Sequence, residues 1–137
     1  MKLTLEIITP TGVLLNEDIE SLTLPTENGE LTILPGHVSL VTKIRPGEMV
    51  IRRNGKEDLF AILGGFLDIS DNHVNILADH AIRAEDIEIT RAQAAEERAK
   101  QAMKNKTNEH EFRVAQNELG KALLELKVAR KHKARRS

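Results

Sequence analysis

The chain has 137 residues, with 20 Lys and Arg against 21 Asp and Glu, no cysteine, no Trp, no Tyr and three Phe, which is room for one ordinary domain or a small domain with an appendage. The absence of cysteine excludes a disulfide or thiolate metal site and fits a reducing compartment, and no apolar run nears the ~20 residues a membrane span needs. The near-zero net charge hides a division: residues 1–87 carry 7 basic against 14 acidic side chains and residues 88–137 carry 13 against 7, while all four prolines and every glycine but Gly120 fall in the first part.

From Lys2 to Thr9, Leu3, Leu5 and Ile7 alternate with Thr4, Glu6 and Ile8, the period of a strand with one face buried. Pro10-Thr11-Gly12 ends it, and the N-terminus carries neither a signal-peptide core nor a transit segment, so a cytosolic protein is expected. Further short strands are predicted near Val13–Leu15, Ile19–Leu24, Glu30–Leu34 and Ser39–Ile44, at the turn-punctuated spacing of a sandwich or barrel. Within them Gly29 to His37, GELTILPGH, packs two turns around a short apolar strand. Gly29 can take positive φ, Leu31, Ile33 and Leu34 anchor, and Pro35-Gly36 suits a type II turn, with Glu30 and His37 left facing outward at the two ends. Taken alone such punctuation is an ordinary hairpin turn.

Met49–Arg53 and Lys56–Leu63 flank Asn54-Gly55, whose tolerance of positive φ marks a type I′ hairpin. Gly64-Gly65 interrupts an apolar run ahead of Phe66–Ile69, a place for a bulge or a close backbone approach. Asp71-Asn72 leads to a last strand, His73–Ala78. The first domain, residues 1–86, is therefore expected to be an antiparallel β-sandwich of about nine short strands.

After Asp86 the period lengthens to nearly four. Thr90 with Gln93 reads as a capping box, and Ala92, Ala95, Ala99, Ala102 and Met103 line one face of a first helix. Asn105–Asn108 breaks the pattern, Asn108 with Glu111 offers a second cap, and Phe112, Ala115, Leu119, Ala122, Leu123, Leu126 and Ala129 stripe a second helix. Residues 87–137 thus read as an antiparallel two-helix hairpin. Alanine methyls bury about 0.8 kcal/mol each, Gly120 costs about 1 kcal/mol against alanine, and short helices are marginal alone in water. The hairpin is expected to be able to open and extend.

No catalytic constellation is present. His37, His73, His80, His110 and His132 show no metal-ligand spacing, and the chain has no GxSxG, Walker loop or GxGxxG. The basic run Lys127, Arg130, Lys131, Lys133, Arg135 and Arg136 raises nucleic acid as a partner, but Phe60, Phe66 and Phe112 alone make no stacking platform for bases, and cations at a helix C-terminus also offset its dipole.

Three stretches in order, GELTILPGH, ILGGFLDI and IEITRA (Ile87–Ala92), resemble the epsilon subunit of the rotary proton-translocating ATP synthase over essentially the full length. The resemblance implies a non-catalytic rotor subunit at the foot of the central stalk, on the cytoplasmic face of a bacterial membrane, although a chloroplast-encoded origin would look similar. Its sandwich would touch the gamma subunit and the ring of c subunits, with Glu30 on the side facing the ring, His37 near gamma, and Leu31 also among the interaction residues. Its tail would switch between a folded hairpin and an extended form that blocks ATP hydrolysis, with Arg113, Lys121, Lys127 and Arg130 facing acidic helices of the catalytic beta subunits when extended; the alpha subunits of the head are implied partners as well. Some members bind ATP in the folded hairpin, and Arg91 and Arg98 match arginines used there. Departures stand at Glu88, where the motif has Asp, at Ile82, Lys121 and Glu125 in the ATP-binding pattern, and at Thr32, where glycine is frequent. The competing readings are a free-standing sandwich with a nucleic-acid-binding tail, and a sandwich-fold enzyme, which would need a polar pocket.

Overall fold

The computed structural model describes residues 2–105 and 108–136, for Arg136 the backbone alone. Lys106 and Thr107 of the expected polar break lie outside the described residues, as does the Arg136 side chain of the basic run. The chain divides into two compact units, residues 1–83 and 84–137.

Ten strands make the first unit: β1 (Leu3–Thr9), β2 (Gly12–Ile19), β3 (Ser21–Thr26), β4 (Gly29–Ile33), β5 (Leu40–Ile44), β6 (Gly47–Arg53), β7 (Lys56–Ile62), β8 (Gly65–Ser70), β9 (His73–Ala78) and β10 (Ala81–Arg83). Their order is β10-β7-β6-β3-β5-β8-β9-β1-β2, with β4 beside β3. Among the described residues every pairing is antiparallel except β1 with β9. Arg53 of β6 reaches Glu17 of β2, so β2, the last strand of the path, lies against β6 near its other end.

Period-two alternation builds the core. Leu3, Leu5 and Ile7 of β1 are fully buried with Leu67, Ile69, Val74 and Ile76 of β8 and β9 and with Phe60 and Ile62 of β7. The strand path turns its corner at Pro25. Residues Ser21 to Thr23 pair with β6, whereas Thr26 pairs with Ile44 of β5. Proline has no N–H to give a ladder, so it suits the point at which β3 changes neighbours, and its carbonyl takes the Arg45 N–H at 3.0 Å.

Two sequence expectations shift. Ile19 ends β2 instead of opening the next strand, and β2 runs on from Gly12 as one strand of 8 residues. The short β10, which pairs Ala81, Ile82 and Arg83 with β7, is too brief to show a period and was not expected. The expected hairpin at Asn54-Gly55 is present, with φ of 53° and 73° and full pairing of β6 with β7. The Gly64-Gly65 pair is a close backbone approach. A Cβ on Gly65 would stand 2.0 Å from the Leu77 carbonyl oxygen.

The second unit opens with a 3₁₀ turn, Ala84–Asp86, followed by α1 (Ile89–Lys104) and α2 (Glu109–Arg136). The helix start differs from the expected Thr90 cap. Glu88 is the N-cap, without a side-chain cap bond, because the 3₁₀ turn, closed by Ile87 N–H to Ala84 C=O at 3.2 Å, feeds directly into the helix and leaves Thr90 inside it. The second cap forms as expected, with the Glu111 N–H donating to Asn108 Oδ1 at 2.8 Å. Helix α2 also packs on the 3₁₀ turn ahead of α1, so the helices run antiparallel. With 28 residues against 16, α2 outreaches α1 by about 18 Å at 1.5 Å per residue.

Ala92 and Ala99 of α1 and Ala115, Ala122, Leu126 and Ala129 of α2 are buried. Of the expected stripes, Ala102 and Leu123 are exposed instead. The buried line 115, 122, 126, 129 drifts away from residue 123, and Val128, outside the expected stripe, is fully buried.

Gly65→Ala is expected to cost more than about 3 kcal/mol and to leave little folded protein, since both its φ of 137° and the Leu77 carbonyl oppose a methyl group. Gly55→Ala, with φ of 73° and open space around it, is expected to cost about 1 kcal/mol. Urea unfolding of the two variants checks the contrast.

Candidate interaction surface

The stretch that stood out in the sequence forms the β3–β4 turn, β4 and the loop that follows. Thr26 pairs with Gly29 across the turn, and its hydroxyl donates to the Gly29 carbonyl at 2.7 Å and accepts the Asn28 N–H at 3.2 Å. Glu27, Asn28, Gly29 and Glu30 at this tip are exposed. Leu31, half-buried, packs against the core, so part of its side chain serves packing. Thr32 gains a partner across the ladder: its hydroxyl lies 3.0 Å from that of Thr23, which also accepts from Arg52 at 2.9 Å. Arg52 in turn donates to Glu57 at 3.0 Å.

His37 lies at the far end of β4 from Glu30. A turn closed by His37 N–H to Leu34 C=O at 3.1 Å carries it, with Gly36 at φ 87°. The half-buried imidazole places Nδ1 2.8 Å from the Val38 carbonyl oxygen. A carbonyl can only accept, so Nδ1 donates in this contact. The tip with Glu30 and the loop with His37 are therefore two separate exposed places, one at each end of β4.

A larger feature escaped the sequence reading. Strands β5, β8, β9, β1 and β2 bury one face and turn the other outward. On the outer face Phe66 pairs with Leu77, Leu77 with Ile8, and Ile8 with Val13. Phe66, Leu77 and Val13 are 52%, 55% and 62% exposed, and Ile8 is half-buried. Four apolar side chains on four neighbouring strands make a stripe about 14 Å long at ~4.8 Å per strand. A bulge completes it. The register slips between Ile7, opposite Leu15, and Ile8, opposite Val13, so the extra residue Leu14 brings Val13 beside Ile8. The next row on the same face reads Val41, Asp68, Asn75, Glu6 and Asn16: Val41, exposed and apolar, at one end and then four polar groups, two of them carboxylates. An exposed apolar stripe rimmed by polar groups marks a protein contact surface.

The basic side chains of the second unit are spread along its helices. Arg91 and Arg98 stand exposed on α1, seven residues apart, with Arg91 Nε 4.0 Å from Glu88. Arg113, Lys127 and Arg130 are exposed on α2, whereas Lys121 is half-buried. Lys121, Leu124, Glu125 and His132 are half-buried on a face that also includes the fully buried Val128. Among the described residues no group of three His, Asp or Glu stands close enough to hold a metal ion, and no helix is long and apolar enough to cross a membrane.

Residues 2–84 match the family model of the ATP synthase delta/epsilon chain β-sandwich domain, and residues 85–130 match that of its long α-helix domain. Among curated relatives, the ATP synthase epsilon chain of Chloroflexus aggregans is 38% identical over 136 residues, covering 99% of this chain and 98% of the relative. The chain belongs to the ATP synthase epsilon chain family. The epsilon chain of Latilactobacillus sakei is 39% identical over 92% of this chain and 91% of its own. A chain of the Euglena gracilis mitochondrial ATP synthase, in a structure of OSCP, F1 and c-ring, superposes with a TM-score of 0.73 at 25% identity, covering 87% of this chain and 76% of that one. A chain of the Tetrahymena thermophila mitochondrial ATP synthase central stalk and c-ring shares the fold, with a TM-score of 0.62 at 19% identity over 94% of this chain and 97% of that one. The epsilon chain is a non-catalytic subunit; the rotary chemistry belongs to the assembled synthase. Membership disfavours the nucleic-acid module and the sandwich enzyme as readings of this family's fold.

Because Phe66 and Leu77 stand half exposed, the pair Phe66→Asp and Leu77→Asp is expected to shift the thermal midpoint by no more than about 4 °C while abolishing co-purification with the other synthase subunits. Calorimetry of the isolated chain and a pull-down from assembled synthase check both halves.

Proposed function

We propose that the chain is a rotor subunit of the central stalk, on the cytoplasmic face of a bacterial membrane, and that it couples the catalytic head and gamma stalk to the c ring. The observation that carries this reading is the apolar stripe Phe66, Leu77, Ile8 and Val13 beside a carboxylate-bearing row. It offers one stalk subunit an apolar contact with a polar rim, the anatomy of a specific interface. We assign the gamma subunit to this face and to the His37 loop, and the c ring to the tip formed by Glu30 and the end of β4 with Leu31.

The helical unit is the proposed regulatory part. Its buried line is mostly alanine, so folded and extended arrangements of the hairpin differ by little packing energy, and reversing a 1:99 population needs about 5.5 kcal/mol of differential binding. Arg113, Lys121, Lys127 and Arg130 supply positive charge toward acidic helices of the beta and alpha subunits when the hairpin extends. ATP is the proposed ligand of the folded hairpin. Arg91 and Arg98 share an exposed helix face where two guanidinium groups can grip phosphate oxygens, with Glu125 opposing further anionic charge.

Hydrolysis by a catalytic head with gamma is expected to fall when the full chain is added and to remain high with residues 1–86 alone. Equal rates with both would reduce the chain to a structural coupler. Calorimetric titration with ATP is expected to show binding to the full chain that weakens at least tenfold, about 1.4 kcal/mol, in Arg91→Ala; no heat with the unaltered chain would remove ATP as a ligand.

A further inference from the structure

Each glycine of the first unit has a backbone reason to be there. Gly12, Gly29, Gly36, Gly55, Gly64 and Gly65 take positive φ, and a Cβ on Gly47 would stand 2.8 Å from Pro25 Cγ. Gly120 has neither reason. It is exposed inside α2, outside the positive-φ region, and a Cβ there would meet nothing within 4 Å. Alanine would fit the position and stabilise the helix, so this glycine weakens α2 without serving any packing.

The weak place divides α2 into unequal parts. Of residues 109–119 only Ala115 is buried, with Phe112 and Leu119 half-buried and the rest exposed. Past Gly120, Ala122, Leu126, Val128 and Ala129 are buried and Lys121, Leu124, Glu125 and His132 half-buried. Helix α1 shows the matching division, because its last buried residue is Ala99 and of Lys100 to Lys104 only Met103 is even half-buried. The antiparallel helices therefore carry their poorly covered parts at the same end, the end where they are joined. Residues 109–119 make about three turns, too few to persist as a helix in water once their packing is lost.

We propose that Gly120 is the boundary of a local opening, in which the last turn of α1 and residues 109–119 of α2 come apart together while the part of α2 beyond Gly120 stays helical. Such an opening is distinct from the extension proposed above, since it leaves the C-terminal part of α2 in place and needs no partner subunit. A helix breaks most readily where a residue gains the most freedom on leaving it, and glycine gains more than any other. Any larger movement of the tail then starts by uncovering Phe112, Ala115 and Leu119, ahead of Leu126 and Ala129.

Amide exchange of the full chain, followed residue by residue, tests this. Amides 113–119 are expected to exchange on the order of tenfold faster than amides 124–133, the mark of an opening smaller than the whole unit. Glycine placed at two exposed positions locates the boundary. Glu118→Gly, before it, is expected to speed both sets about threefold, because residue 118 leaves the helix in the local opening and in the complete one. Leu123→Gly, past it, is expected to speed amides 124–133 and to leave 113–119 as they were. Gly120→Ala is expected to slow the 113–119 set about fivefold, the helix-interior difference between the two residues. Equal exchange along α2, or acceleration of amides 113–119 in Leu123→Gly, overturns the proposal, since α2 then opens in one piece. Unaltered exchange of amides 113–119 in Gly120→Ala overturns it too, since the helix then breaks somewhere else.

Discussion

The approach of Gly65 to the Leu77 carbonyl is the constraint on which the rest of the sandwich depends. A Cβ at that position would sit 2.0 Å from the oxygen, so glycine alone lets β8 begin flush against β9. That contact holds the register in which Leu67 meets Ile76 and Ile69 meets Val74 inside, while Phe66 meets Leu77 outside. A slip of one residue would exchange the two faces, placing Phe66 in the core and Leu67 in solvent. The same register carries Asn72 to the Gly36 amide at the other end of the hairpin. Core, contact face and loop anchoring thus follow from one close backbone approach.

The two units are stabilised differently, and that difference bears on what each can do. The sandwich buries Leu, Ile, Val, Met and Phe side chains from nine of its strands, β1 to β9, and each large aliphatic group contributes about 1.5–3 kcal/mol. A rigid contact face is the consequence. The helices meet mainly through alanine, with Leu126 as the larger group of the same buried line and Val128 buried on another face of α2. Small side chains let helices approach closely but contribute little each, and Gly120 in the middle of α2 meets no other group. The sandwich is the more firmly packed of the two units, and the helical pair, held through small side chains, the less.

Neutral overall charge conceals a division of charge between the two parts of the chain. The acidic excess of the first part of the chain appears on the outer face as the row with Asp68 and Glu6, next to the apolar stripe, and at the tip with Glu27 and Glu30. The basic excess of the second part is spread along exposed positions of α1 and α2. Charges placed on the rim of an interface direct approach and register more than they add affinity. The apolar stripe and the buried alanine line are the apolar surfaces of the two units, and the charges lie around them.

Much of this protein was legible in its residues because local rules act over a few positions. Alternation of Leu3, Leu5 and Ile7, the Asn54-Gly55 turn, the Asn108 cap and the change of period after Asp86 each reflect backbone geometry within one element, and the three motifs pointed to the family that the relatives show. Thr90 misled for the same local reason: a capping pattern is read from four residues, but the preceding 3₁₀ turn had already started the helix at Glu88. Other features required distant segments to meet. Phe66, Leu77, Ile8 and Val13 are scattered over more than sixty positions, each an unremarked apolar residue out of phase with its neighbours, and only strand pairing with a bulge at Leu14 aligns them. Asn72 looked like an ordinary turn residue until the β4–β5 loop came within 2.7 Å of it. The sequence by itself determined the elements and the family, since periodicity and turn chemistry are properties of neighbours; tertiary structure decided the contact face and its anchoring, since register and loop placement are settled only when remote strands share one core.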